Sequence, residues 1–295
     1  MSETCLEHPV LDECDWQGRE LRHLERADEF LGPHRERARR GEAHPVWDFL
    51  FSYYSLRPRL LRRWHAGYGT ALDGASAERF LGRAGYVRQG TSVTVSREYL
   101  RTRIETVEFI AALSRAVADR PARFNCFGLH EWAMVYRAPE VRHGQVPLRL
   151  GAAGTDAVVE SMPLRCSHFD AYRFFTQAAS PRNADTLSRD TQIATEQPGC
   201  VHANMDLYKW CYKLGPLVPS ELLMDGLELA SRARALDMRA SPYDLVAYGL
   251  APITVETSSG RAEYARAQQA LAERAAPLRA ALVGWCGELL EAAEG

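Results

Sequence analysis

Lysine is almost missing from this chain: of its 36 basic residues only Lys209 and Lys213 are lysines, and the rest are arginines. Charge of one sign is missing too, since 38 acidic residues leave a formal net charge of -2. That balance gives no electrostatic basis for sequence-independent binding to phosphate backbones. No apolar run approaches the roughly 20 residues that a membrane-spanning helix needs. The N-terminal stretch "MSETCLEHPVLDECDWQGRE" has no apolar core of the signal-peptide kind. The seven cysteines, Cys5, Cys14, Cys126, Cys166, Cys200, Cys211 and Cys286, are odd in number and contain no CxxC pair. A disulfide framework is therefore not expected, and a cytoplasmic location is. Walker A, GxSxG and HExxH motifs are absent, as is a strand–GxGxxG–helix unit; "GLHEW" lacks the second histidine of the HExxH signature. There is no fixed-period repeat, heptad array or low-complexity segment.

What remains is ordinary globular material: 295 residues, 46% hydrophobic and 25% charged. It suffices for one large core. The pattern predicts a mainly α fold with a few short β-strands: a loose N-terminal arm over 1–18, then one compact, mostly helical catalytic domain over 19–295. A charged helix is expected over 19–40 and an apolar-aromatic helix from 44, with a new start at Pro58. "VTV" at 93–95 reads as a strand. Ser96 reads as the cap of a helix carrying Leu100, Ile104, Val107, Ile110, Leu113 and Val117. "VPLRL" (146–150) and "DAVVES" (156–161) read as strands, and 178–199 as a loop. From 201 onward the chain reads as helical. It includes a Leu223, Leu227, Ala230 stripe and a C-terminal amphipathic run with a break at Pro277.

Three segments concentrate chemistry: "RFNCFGLHEWAMVYR" at 123–137, "LRCSHFDAYRFF" at 164–175 and "PGCVHANMDLYKW" at 198–210. Each sets a cysteine, a histidine and a carboxylate among aromatics. If 164–170 is a strand, Cys166, His168 and Asp170 share one face, with His168 and Asp170 about 7 Å apart. If 201–210 is a helix, His202 and Asp206 are i and i+4, a spacing that two ligands of one metal can use. His130, His168, His202 and Asp206 are the expected metal ligands. Glu131, Asp170, Arg173 and Tyr136 are the expected catalytic residues; Asp170 is the alternative to Asp206 as the metal's carboxylate, a carboxylate left off the metal acts as general base or orienting group, Arg173 can clamp an anion and Tyr136 can wall a flat substrate. Imidazoles with carboxylates favour Fe(II) over Zn(II), and two histidines with one carboxylate are the non-haem iron arrangement.

Blander readings stand beside these. A histidine in an apolar-aromatic segment is commonly a satisfied core residue. Buried cysteines are mostly small apolar groups, and C-x-H at 166/168 and 200/202 is poor zinc spacing. A Cys126 or Cys200 nucleophile lacks an activating motif around it. Arg137, Arg165 and Arg173 can clamp a carboxylate or phosphate, but in an arginine-rich chain solvated arginines are common. His44, Asp48 and His65 form a further set of candidate ligands.

The segments "HPVWDFLFSYYSLRPRLLRRWHAGYG", "CFGLHEWAMVYR", "RCSHFDAYRFFT", "EQPGCVHANMDLYKW" and "LDMRASPYDL" resemble an actinobacterial family of about this length that goes by the name 3-methyladenine DNA glycosylase. The likeness spans roughly 44–285 and carries over no site residue. It implies N-glycosidic cleavage of alkylated purines; the residue of this chain that suits stabilising the positive sugar is Glu131 or Asp170. The chain has no LPGVG-like hairpin, the backbone grip of helix-hairpin-helix glycosylases. Three functions are therefore set against each other: a metal-dependent oxidoreductase or hydrolase acting on a small polar or aromatic molecule, a metal-free N-glycosylase, and a non-enzymatic helical protein.

Overall fold

A computed structural model describes residues 9–139 and 145–295. Helices dominate it. The chain enters through a two-residue strand, β1 (Val10–Leu11), and at once begins α1 (Glu13–Arg39). Asp12 caps this helix by accepting the Asp15 N–H at 2.8 Å. Glu13 and Asp15 in the first turn and Arg37 and Arg39 in the last complement the helix dipole. The loose arm expected over 1–18 is thus corrected from Pro9 onward: Trp16 is fully buried and donates its indole N–H to the Asp73 carbonyl. Residues 1–8 of that arm lie outside the described residues.

Two short helices follow, α2 (Phe49–Ser52) and α3 (Pro58–Leu61), the second with its proline in the first turn as expected. A small sheet of order β1-β2-β4-β3 forms from β2 (Ala71–Leu72), β3 (Tyr86–Gln89) and β4 (Ser92–Val95). β1 lies parallel to β2 and the other pairs are antiparallel. Gly90, at φ 59°, supplies the positive dihedral that the tight β3–β4 hairpin requires. Ser96 then caps α4 (Arg97–Thr102) by accepting the Tyr99 N–H, and α5 (Ile104–Ala118) buries the predicted apolar stripe.

The middle of the chain departs from the strand expectations. Residues 156–161 belong to a helix, α7 (Gly151–Ser161), after the short α6 (Leu129–Ala133). Thr155, Val158 and Val159 are its buried positions, a helical i, i+3, i+4 set rather than an alternation. "VPLRL" contributes only an isolated bridge between Leu148 and Tyr243. "LRCSHFD" is not a strand either. The Asn183 side chain bonds both the N–H and the C=O of Cys166, taking the place of a neighbouring strand. His168 then caps α8 (Phe169–Tyr172). The 178–199 connection is irregular except for brief turns, among them α9 (Gln192–Thr195).

Three long helices complete the fold: α10 (Val201–Leu214), α11 (Ser220–Arg239) and α12 (Ser258–Glu294). The break expected at Pro277 does not occur. Pro277 and Glu273, four residues earlier, are both exposed, so the carbonyl that loses its donor faces water. α10 packs on α11 and α12, and α5 on α12. At Gly226 a Cβ would lie 3.1 Å from the Tyr208 Cα, so the bare glycine sets the close approach of α10 and α11. The main apolar cluster runs from Trp16 to Leu289 and draws on helices from both ends of the chain. No helix among the described residues is long and apolar enough to cross a membrane.

Candidate metal centre

Helices α6, α10 and α11 bring His130, His202 and Asp237 together, and one ligand atom from each lies within 4.8 Å of the others. All three residues are buried. The His130 and His202 rings are nearly perpendicular, with centroids 4.5 Å apart. His130 Nε2 lies 2.6 Å from Asp237 Oδ1, and His202 Nε2 lies 3.9 Å from Asp237 Oδ2. This buried group can hold a metal ion.

The backbone before α6 explains how five helical residues hold an imidazole in place. Phe127 and Gly128 adopt left-handed dihedrals in succession, at φ 53° and φ 72°. For a bulky phenylalanine this is a costly conformation, held only where packing fixes it. The corner aims α6 so that His130 and Glu131 are both buried although adjacent in sequence. Glu131 accepts from Arg234 Nη1 at 2.8 Å, and the same nitrogen lies 3.5 Å from Asp237 Oδ2. Arg234 rests on the Phe49 ring, 3.8 Å from its centroid.

Burial alone would push the His130 imidazole down, but the touching Asp237 carboxylate overrides it and holds His130 well above its ordinary value. His202 goes the other way. Burial, reinforced by positive charge on His130, keeps it neutral with a free lone pair. Its Nδ1 is buried with no hydrogen-bond partner among the described residues. The donor set fits a divalent ion: one imidazole is already neutral, and the proton between His130 and Asp237 is what metal binding would displace.

A second polar network adjoins the first, and the His168 ring stacks 5.3 Å from that of His202. His168 Nε2 lies 3.2 Å from Asp206 Oδ2 and 3.4 Å from Glu196 Oε1, while its Nδ1 accepts the Ala171 N–H. Asp206 also accepts from Tyr54 at 3.0 Å and from Lys209. Lys209 continues to Asp170 at 2.9 Å. Burial tends to raise Asp206, but Lys209 and His168 hold it well below the usual carboxylate range. Burial likewise opposes charge on Lys209, and the two aspartates keep it fully protonated. Glu196 and Asp206 push His168 up against burial.

Of the four expected ligands, His130 and His202 therefore join the group. His168 and Asp206 bond to each other beside it, with both imidazole nitrogens and both carboxylate oxygens engaged. Among the expected catalytic residues, Glu131 sits at the group and Asp170 in the second network. Burial would raise Asp170, but Lys209 lowers it, so it is a paired carboxylate and not a poised base. Arg173 is at the rim, 3.4 Å from Asp170. Tyr136 is corrected: its phenol donates to Glu160 of α7 at 2.9 Å, and it lines neither cavity near the histidines. His44, Asp48 and His65 are held elsewhere. Asp48 takes Arg37, His34 and the His44 N–H, and His65 Nδ1 meets the Tyr86 phenol. Burial pushes the Cys166 and Cys200 thiols up, away from nucleophilic thiolates.

Asp237 and Arg234 were not among the expected site residues. They extend the α11 stripe 223, 227, 230 to 234 and 237, so two charged residues occupy positions where the helix predicts apolar ones. That break in the pattern was the available signal.

Two cavities lie beside the group. A narrow one of about 20 Å³ is lined by Phe49, Tyr53, Glu131, His202 and Arg234, among others. An open cleft of about 610 Å³ carries Arg173, Arg189, Lys213, Tyr212 and Trp210 on its walls. Tyr53 and Asp170 line both. No family model, curated protein or solved structure matches this chain.

Proposed function

We propose that the protein is a metal-dependent enzyme, with His130, His202 and Asp237 holding a non-haem ferrous ion, that acts on a small polar or aromatic molecule. The observation that carries this reading is the convergence of two imidazoles and one carboxylate, buried and from three different helices. Two histidines and one carboxylate with open positions suit iron and its oxidation chemistry; zinc in the same set would supply a water of lowered pKa for hydrolysis. Cys126 Sγ, 3.5 Å from His130 Nδ1, helps set the ring's orientation. Arg234 steadies Asp237 and Glu131 together. Tyr53, at the junction of cleft and narrow cavity, limits water at the group. Arg173, Arg189 and Lys213 favour anionic molecules at the entrance.

Metal analysis of the purified protein is the test. Near-stoichiometric iron, or uptake of Fe(II) in preference to Zn(II), that is lost in His202→Ala supports the reading. Folded protein that takes up neither ion overturns it. The same preparation, assayed on alkylated duplex DNA, tests the N-glycosylase activity implied by the resemblance. Release of free base by chelator-treated protein would displace the metal reading in favour of that one.

A further inference from the structure

Arg234 is 1% exposed, yet its Nε and Nη2 have no hydrogen-bond partner among the described residues. Its Nη1 alone carries the bonds to Glu131 and Asp237. A buried guanidinium with two idle nitrogens, three N–H donors in all, is costly, because each N–H has lost water and gained nothing. The identity of the idle pair matters. Nε–H and the adjacent Nη2–H form the side edge of the guanidinium, the fork that meets a planar carboxylate with two parallel bonds. Arg234 lines the narrow cavity together with His202, whose Nδ1 is a third buried atom without a partner.

We propose that this edge is a binding site for a carboxylate, seated in the narrow cavity beside His202. The proposal deepens the reading of the same site, since it names the group by which the enzyme's small molecule is held. Two carboxylates, Glu131 and Asp170, also line the cavity, but each is already paired with a cation, Glu131 with Arg234 Nη1 and Asp170 with Lys209. Glu131 and Asp237 on Nη1 leave the opposite edge of the cation open, and Phe49 covers one face. As it stands the cavity has room for about one water-sized group. Met134 on its wall, an unbranched thioether, supplies the give a carboxylate needs. The cleft beyond, with Tyr53 at the junction and Trp210 and Tyr212 on its walls, accepts the remainder of an aromatic acid. Two sources of the carboxylate are possible, a free small oxyanion or the acid end of a larger molecule, and their chemistry at Arg234 is the same.

The test uses the full chain, treated with chelator, and formate as the probe, with chloride at equal ionic strength as the control. Formate is expected to bind saturably, to raise the melting temperature where chloride does not, and to shift the Arg234 Nε–H resonance in the ¹⁵N spectrum. Arg234→Lys keeps the charge and loses the fork, so formate binding should weaken by about tenfold or more. Equal effects of formate and chloride, an unmoved Nε–H signal, or undiminished binding by a folded Arg234→Lys would overturn the proposal. Should Arg234→Lys fail to fold, the wild-type resonance decides alone. Benzoate binding more tightly than formate assigns the carboxylate to a larger molecule, and the reverse to a free oxyanion; either order supports the site. Because metal is absent throughout, formate binding by a protein that takes up no metal would leave this inference standing and remove the metal reading.

Discussion

Two clusters of buried charge lie side by side in this molecule, and they are finished to different degrees. In the His168, Asp206, Lys209 and Asp170 network every member has its partners, and four groups from two segments close on one another. In the His130, His202, Asp237 and Arg234 group, one imidazole nitrogen and two guanidinium nitrogens have no partner among the described residues. Completed buried networks position and rigidify, whereas incomplete ones are where a ligand is missing. On the proposed reading, the first cluster is the support and the second is the place where something binds.

That contrast can be broken by experiment. The largest effect is expected from Asp206→Asn, which strips a buried charge from beneath Lys209 and His168 and should cost about 3–5 kcal/mol in urea unfolding. A loss below about 1 kcal/mol would mean that the network is not a support. Next comes ion removal. With Fe(II) at about a hundredfold over its dissociation constant, wild-type should gain about 2.7 kcal/mol over chelated protein, and Asp237→Asn should gain almost none. An equal gain in both would move the ion elsewhere. Gly226→Ala should follow, at about 1–3 kcal/mol, since its methyl group presses on the Tyr208 backbone. Because His202 and Asp237 sit on these same two helices, about two to three turns from that contact, metal affinity should fall along with stability; unchanged affinity would show that the two helices need not approach so closely.

The smallest effect is one of pH. His168 is held above its ordinary value of 6.5, so in chelated protein its stabilisation is complete below about pH 6.5 and fades as the pH rises through the folded-state value. The stability difference between wild-type and His168→Gln should therefore be larger at pH 6 than at pH 9. The opposite trend would mean that His168 is a neutral core residue and that the network's charge lies elsewhere.

Much of the scaffold could be read from residue pattern alone. Ser96 as a cap, Pro58 as a helix start and the α5 and α11 stripes follow from local rules, and tertiary packing leaves them intact. The segment misread around Cys166 and His168 is one where side chains replace backbone partners. Asn183 stands in for a strand at Cys166, and His168 acts as a helix cap through its ring. The site was half legible for a related reason. Histidines among aromatics are conspicuous, so His130 and His202 stood out. Asp237 and Arg234 sit in an ordinary-looking helix and matter only through residues more than a hundred positions, or some thirty-five positions, away. Arg234, whose open edge is the most telling feature, looked in sequence like any other arginine of an arginine-rich chain.

The final helix touches the start of α10 at two points: Gln268 donates to the Gly199 carbonyl, and Arg279 donates to the Asn204 side chain. Both bonds hold the turn that presents His202, although α12 gives no side chain to the histidine group itself. Loosening of α12 would therefore reach the group through α10, and substitutions at Gln268 or Arg279 would act on His202 from a distance.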